Sequence, residues 1–257
     1  MLGRAPIDVA VSPDAGSEDV AAADVVFLLD VDNTLLDNDR FKSDLDARIQ
    51  HDFGPAGRAA YWALYESERD RLGYADYLAA LQAFREGREE DPDLLRMSGY
   101  MLDYPFAERV YPGALETIDR LHELGTPVIL SDGDVVFQPR KVQRSGLWEA
   151  MRGRVLIYLH KQHMLEAVQQ RYPARHYVMV DDKPKLLAAM KATMGVRLTT
   201  VFVRQGHYAD EAAGQEIAPA PDMVIDDIGE LATFDLQQFG PRACPHADVD
   251  APESISQ

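Results

Sequence analysis

The sequence lacks several features that would each place it in a familiar class of protein. It has one cysteine in 257 residues, so an intrachain disulfide is excluded and we expect a reducing, cytoplasmic location. No apolar run approaches the roughly 18 residues of a membrane-spanning helix. No glycine-rich dinucleotide fingerprint or P-loop follows a predicted strand, which argues against NAD or ATP as a cofactor.

Positive charge is also scarce. The chain has 26 lysine and arginine residues against 43 aspartate and glutamate residues, which gives a formal net charge of -17. Such a surface repels nucleic acid and anionic membranes, so we expect neither as a partner. We expect the protein to act as a monomer or a homodimer.

Six short apolar runs alternate with helical segments. The runs are residues 25–29, 127–131, 155–158, 177–180, 199–203 and 222–225. Nearly continuous apolar runs are typical of strands that are buried on both faces. The sequence therefore predicts an α/β fold, in which a Rossmann-like parallel sheet lies between two layers of helices.

The interval between the first two strands is too long for one connection. A single βαβ crossover needs roughly 30 residues, and the helical pattern at 113–125 already supplies its helix. Residues 37–108 are therefore predicted to form an inserted helical-bundle cap of about four helices, one of them beginning at Asp91-Pro92. The remaining predicted units are a flexible leader (1–23), a core (24–36 plus 109–239) and a disordered tail (240–257).

Charged and polar side chains stand just beyond the predicted strands. They are Asp30 and Asp32 after the first strand, Ser131 and Asp132 at the second, Lys161 after the third, and Asp181 and Asp182 after the fourth. Because ligands bind at the carboxyl ends of parallel strands, we expect these side chains to converge. Clustered carboxylates repel one another unless a cation neutralises them, and hard oxygen ligands suit Mg²⁺.

This combination suits phosphoryl transfer. A bound Mg²⁺ beside a lysine, a hydroxyl and backbone N–H groups can receive a phosphoryl group. Asp30 would attack phosphorus and form an aspartyl phosphate. Asp32 would protonate the leaving oxygen and later activate water.

The ordered set Asp30-Val31-Asp32-Asn33-Thr34, Ser131, Lys161 and Asp181-Asp182 resembles the haloacid dehalogenase-like (HAD) superfamily, in its phosphatase-like branch with a helical type-1 cap. The resemblance covers about residues 24–234 and implies the strand order 3-2-1-4-5-6.

The resemblance also implies a role for each matching residue. Asp30 would be the nucleophile and a metal ligand, and Asp32 the general acid/base, whose backbone carbonyl also binds the metal. Ser131, Asp132 and Lys161 would form the phosphate-binding set. Asp181 and Asp182 would hold Mg²⁺, Asp182 more directly. Many relatives have a further acid where this chain has Leu186, so the share of each aspartate in metal binding stays open.

Two nearby features compete for these roles. Lys141 is an alternative to Lys161, but its helical pattern favours a solvent-facing lysine, so we assign the phosphate role to Lys161. Asp226-Asp227 is a second acidic pair, and Asp227 with Glu230 three residues later predicts a capping box rather than a ligand site.

The predicted function is that of a Mg²⁺-dependent phosphatase for a small phosphorylated metabolite. A sugar phosphate, phosphoglycolate and a nucleoside monophosphate all stay open as substrates. A phosphomutase would use the same residues. A haloacid dehalogenase would need neither Mg²⁺ nor the acid at Asp32. A phosphoryl-accepting switch would have its acid pair before the acceptor aspartate, which is the reverse of the order in this chain.

Overall fold

The computed structural model describes residues 23–212 and 214–240. Apart from Ala23 and Gly240, the predicted leader and tail lie outside these ranges. Six strands form one parallel sheet of order β3-β2-β1-β4-β5-β6, which confirms the predicted fold class and strand order. The strands are β1 (Ala23–Leu29), β2 (Thr126–Asp132), β3 (Val155–Tyr158), β4 (Ala174–Asp181), β5 (Leu198–Val203) and β6 (Met223–Ile225).

The register of the central strands brings their carboxyl ends to one level. Leu29 of β1 lies opposite Ile129 of β2 on one side and Val180 of β4 on the other. All three side chains are fully buried, because helices cover both faces of the sheet. The residues that follow these strands therefore meet at one edge.

The helices pack on the sheet or form the insert between β1 and β2. They are α1 (Asn38–Leu72), α2 (Tyr77–Phe84), α3 (Pro92–Asp103), α4 (Ala114–Leu124), α5 (Phe137–Arg144), α6 (Leu147–Ala150), α7 (Leu165–Arg171), α8 (Pro184–Met194) and α9 (His207–Ala212). Proline begins α3 and α8, where a missing N–H costs no helical hydrogen bond.

A regular helix does not follow β3 directly. Lys161–His163 form a 3₁₀ turn, and α7 begins only at Leu165. The backbone N–H of Lys161 donates to Asp132 Oδ1 at 2.7 Å. This bond holds the turn against the end of β2 before the helix starts.

The insert is helical, and its longest helix is kinked. Inside α1, Gly54 has φ 70° and ψ 178°, and Pro55 follows it. Proline cannot donate a helical hydrogen bond and disfavours a helical conformation in the residue before it, and glycine tolerates positive φ. These two residues therefore divide α1 into two helical segments.

An aromatic cluster joins the insert to the core. The ring of Phe41 in α1 lies 5.3 Å from that of Tyr77 in α2, 5.0 Å from Tyr104 after α3, and 5.5 Å from Phe137 in α5. These rings are nearly inaccessible to solvent. Buried aromatic pairs add to the stability that comes from apolar burial, so the cluster fixes the insert beside α5.

The chain leaves and re-enters the core at adjacent points. Leu36 forms an isolated antiparallel bridge with Val110, and the N–H of Asp37 donates to the carbonyl of Arg109 at 2.8 Å. The outgoing crossing lies a few residues after Asp30 and Asp32, and these contacts place the returning crossing beside it. Within the part of the chain that the structure describes, no helix combines the length and apolar character needed to cross a membrane.

Candidate active site

Three carboxylates meet at the carboxyl ends of β1 and β4. Oxygen atoms of Asp30, Asp181 and Asp182 lie within 4.8 Å of one another, and all three residues are buried. Lys161, which is fully buried, supplies a positive charge to this cluster. Its Nζ lies 2.6 Å from Asp30 Oδ1 and 2.6 Å from Asp181 Oδ2. The fold thus brings together four of the site residues predicted from the sequence.

Some oxygens of this cluster have no hydrogen-bond partner among the described residues. They include Asp30 Oδ2 and both side-chain oxygens of Asp182. Buried polar atoms in proteins are nearly always satisfied, so such a group calls for an additional partner. Converging carboxylate oxygens are the ligands that hard divalent cations prefer. The donor set therefore fits Mg²⁺.

The pKa values of these groups report the same excess of negative charge. Burial, together with the charge of the neighbouring Asp181, raises the pKa of Asp182 to about 9. Burial alone would lower the pKa of Lys161, but Asp181, Asp30 and Asp132 outweigh that effect and raise it. Lys161 therefore stays charged, while Asp182 retains a proton at neutral pH in the absence of a cation.

The Asp182 shift predicts how metal-free stability changes with pH. A carboxyl group with a raised folded-state pKa binds its proton more tightly when folded, so its contribution to stability falls as pH rises. The window runs from the ordinary value near 4 to about 9. In EDTA, the unfolding free energy of Asp182→Asn should increase relative to that of the native protein as the pH rises from 5 to 9, as measured by urea unfolding. A difference between the two proteins that does not change with pH would contradict this assignment.

Ser131 and Asp132 lie beside this cluster at the end of β2. Ser131 Oγ accepts a hydrogen bond from Gln138 Nε2 at 3.0 Å. Asp132 Oδ1 accepts the backbone N–H of Lys161, so the Asp132 carboxylate orients the turn that delivers Lys161. Ser131 is buried, whereas Asp132 is partly exposed and lines the adjacent cleft.

The prediction of a solvent-facing Lys141 was wrong. This side chain is 1% exposed, and its Nζ donates to Asp32 Oδ1 at 2.7 Å and to Asp32 Oδ2 at 2.9 Å. The two lysines thus pair with different aspartates: Lys141 contacts Asp32, and Lys161 contacts Asp30. A signal was present in the sequence: Phe137 precedes Lys141 by four residues, which places both side chains on one face of α5.

A cleft of about 490 Å³ opens between the insert and the core. Asp32, Asp132 and Lys141 belong to its lining on the core side. The insert contributes mainly polar and aromatic side chains, which include Lys42, Tyr65, Arg69, Tyr74 and Tyr77. A volume of this size accommodates a small metabolite.

Lys183 is a further cation at the cleft that was missed in the sequence. Its backbone N–H donates to Asp181 Oδ1 at 2.8 Å, and its Nζ lies 5.1 Å from the ring centre of Tyr208. Burial alone would lower its pKa, but Asp30, Asp181 and Asp182 raise it. Its position directly after the acidic pair was the available signal.

The second acidic pair has the structural role predicted for it. Asp227 forms a capping box with Glu230 at the start of a 3₁₀ turn. Asp226 is exposed and pairs with Arg204. Neither aspartate belongs to the buried carboxylate cluster.

Comparison with known proteins identifies the family of this chain. The family model described as "Hydrolase: haloacid dehalogenase-like hydrolase" matches residues 25–192, which is more than half of the chain. The chain belongs to the haloacid dehalogenase-like hydrolase family. The resemblance to the haloacid dehalogenase-like superfamily is thereby confirmed, and hydrolysis is the reaction class of the family. The phosphatase-like branch stays a prediction. A search of curated proteins gives no match.

Several solved structures share the fold. A protein from Burkholderia xenovorans LB400, described as haloacid dehalogenase-like, is 56% identical over 82% of this chain and 99% of its own, with a TM-score of 0.77. The HAD-hydrolase YfnB from Bacillus subtilis, bound to magnesium, is 15% identical over 81% and 96%, with a TM-score of 0.54. The L-2-haloacid dehalogenase from Xanthobacter autotrophicus is 18% identical over 80% and 96%, with a TM-score of 0.51.

Proposed function

We propose that this hydrolase is a Mg²⁺-dependent phosphatase that acts on a small phosphorylated metabolite through an aspartyl phosphate. One observation carries the proposal: a buried carboxylate cluster lies beside a fully buried lysine, and one oxygen of Asp30 has no hydrogen-bond partner among the described residues. A nucleophilic oxygen, a fixed positive charge and a cation site are the components that phosphoryl transfer requires.

In the first half-reaction, Asp30 Oδ2 attacks phosphorus while Lys161 holds Oδ1. The new bond joins Asp30 to phosphorus, and the bond from phosphorus to the substrate oxygen breaks. The electron pair of that bond goes to the leaving oxygen, which takes a proton from Asp32. Lys161 offsets negative charge on the phosphoryl oxygens, and Ser131 and Asp132 complete this side of the pocket.

In the second half-reaction, a water oxygen attacks phosphorus and Asp32 accepts the proton of that water. The bond between phosphorus and Asp30 breaks, and its electron pair returns to the Asp30 carboxylate. The products are inorganic phosphate and the original enzyme. Asp32 is suited to both transfers because its side chain is 28% exposed and lines the cleft.

Asp30, Asp181 and Asp182 would hold Mg²⁺, with the Asp32 backbone carbonyl as a further ligand. When bound, the cation would neutralise the carboxylates and the charge of the phosphoryl group. The cleft volume limits the substrate to a small metabolite, and the single cysteine supports a reducing cytoplasm as the proposed location.

Phosphate release from a panel of phosphorylated metabolites, with Mg²⁺ and with EDTA, tests this function. We expect release only with Mg²⁺. Asp182→Ala should raise the Mg²⁺ concentration for half-maximal activity at least about tenfold, since even the loss of a group that orients a metal ligand costs that much. The matched variant Asp226→Ala alters an exposed aspartate and should not shift the requirement. Equal shifts in both variants would refute the assigned metal pair.

The same panel separates the alternative reactions. Halide release from 2-haloacids without Mg²⁺ would identify a dehalogenase. Isomerisation of a sugar phosphate that depends on a bisphosphate, with little phosphate release, would identify a phosphomutase. Stable phosphorylation of Asp30 without turnover would identify a phosphoryl-accepting switch.

A further inference from the structure

Lys141 occupies an unusual position for a lysine. Its Nζ lies 5.3 to 5.9 Å from the ring centres of Phe41, Phe106 and Phe137. Lysine is rarely buried without a partner, because a desolvated ammonium group is costly. Here the ammonium group itself lies among three aromatic rings, and Lys141 belongs to the lining of the cleft.

The three donors of the Lys141 ammonium group match three acceptors. Two are the carboxylate oxygens of Asp32, and the third is Asn38 Oδ1 at 2.9 Å. Asp32 belongs to the turn after β1, whereas Asn38 is the first residue of α1. Lys141 therefore connects three parts of the molecule: the turn that carries the acid/base, the start of the insert, and α5 of the core.

Stability alone does not account for this arrangement. Replacement of both partners of a buried ion pair by apolar side chains of similar volume is often neutral or stabilising. Apolar side chains at positions 32 and 141 would therefore fill this space without the cost of desolvating two charges. The lysine is therefore better explained by what its ammonium group does to Asp32.

We propose that Lys141 is a positioning residue that fixes the Asp32 carboxylate in the lining of the cleft. Its ammonium group donates to both oxygens of Asp32, and the Asp32 side chain is still 28% exposed and lines the cleft. The bond to Asn38 ties this orientation to the first turn of the insert. The inference rests on the proposed function, in which Asp32 accepts a proton from the water that attacks phosphorus. Displacement of a catalytic group by about 1 Å can cost a hundredfold in rate.

The test uses Lys141→Met and p-nitrophenyl phosphate with Mg²⁺. The leaving oxygen of this substrate departs without a proton, so only the second half-reaction depends on Asp32. We expect a near-stoichiometric burst of nitrophenol, then a steady rate that is about tenfold to a hundredfold below that of the native protein. The variant should accumulate phosphorylated Asp30, which mass spectrometry detects. If Lys141 had a merely structural role, its replacement would not change the ratio between the rates of the two half-reactions.

A double-mutant cycle and two further variants complete the test. In an Asp32→Asn background, Lys141→Met should cost less than about twofold, because its effect passes through Asp32. Lys191→Met is the control, since Lys191 forms an ion pair with Asp222 at the opposite edge of the sheet, and it should leave the rate unchanged. If Lys141→Met does not fold, Lys141→Arg carries the test, because it keeps the charge but displaces the donors. It should retain the burst and lower the steady rate about threefold to tenfold.

Two results overturn the inference. One is an equal loss in burst and steady rates, or no loss at all, in the Lys141 variant that folds. The other is that Lys141→Met lowers the steady rate of the Asp32→Asn variant by the same factor as it lowers that of the native protein. A native protein that releases no phosphate from any substrate of the panel would instead overturn the proposed function, and this inference with it.

Discussion

Replacement of Asp30 by asparagine should lower turnover at least about a thousandfold, which corresponds to roughly 4 kcal/mol of barrier. The amide has nearly the same volume but offers no nucleophilic carboxylate oxygen. The fold should survive, because Lys161 keeps Asp181 as a counter-charge at 2.6 Å. The measurement is phosphate release at saturating Mg²⁺, with thermal unfolding to verify the fold.

Asp226→Asn is the matched control for this prediction. It makes the same chemical change at an exposed aspartate that pairs with Arg204, and it should keep native turnover. Near-native turnover in Asp30→Asn would show that another group attacks the substrate.

Replacement of Lys161 by methionine should lower both activity and stability. The Lys161 ammonium group is fully buried and contacts Asp30, Asp181 and the Leu130 carbonyl. Loss of one preorganised donor at a reacting oxyanion typically costs about a hundredfold to a thousandfold in turnover. Removal of one partner of a buried ion pair costs about 3–5 kcal/mol of unfolding free energy.

The loss of stability should depend on pH and on metal. Acidic conditions let the carboxylates neutralise by protonation, so the deficit of Lys161→Met should be smaller at pH 6 than at pH 9. Mg²⁺ should reduce it as well, because the cation replaces part of the missing charge. Urea unfolding of this variant and of Lys185→Met, which alters an exposed lysine of α8, gives the comparison. A Lys161 variant as stable as the Lys185 variant at pH 9 in EDTA would contradict the role of Lys161 as the counter-charge of this cluster.

The strand pattern made much of this fold predictable. Nearly continuous apolar runs locate all six strands, because a parallel sheet covered on both faces leaves little room for polar residues. Since strand ends converge, side chains as far apart in the chain as Asp30, Lys161 and Asp182 could be expected at one site. The local rules at Asp91-Pro92 and Asp227 also held, because helix starts and caps depend on near neighbours in the chain.

Features that depend on contacts between distant parts of the chain were harder to predict from the sequence. Lys141 follows a helical pattern that usually faces solvent. Its burial depends on Phe41 and Phe106, which reach α5 from the insert, and no local pattern reveals that contact. The 3₁₀ turn at Lys161 likewise depends on a hydrogen bond to Asp132, 29 residues earlier. The boundaries of the cap at residues 37 and 108 stay a prediction.

In the proposed reaction, Asp30 forms a covalent bond to phosphorus during turnover. A single-turnover reaction in H₂¹⁸O, followed by mass spectrometry of the released phosphate and of the peptide that contains Asp30, tests this claim most directly. Water that attacks phosphorus leaves its oxygen in the phosphate, whereas water that attacks an ester carbonyl leaves it in the aspartate. We predict a phosphorylated Asp30 in rapidly quenched samples, ¹⁸O in phosphate and none in Asp30. Solvent oxygen in the Asp30 carboxylate, or turnover without any phosphorylated Asp30, would contradict the claim.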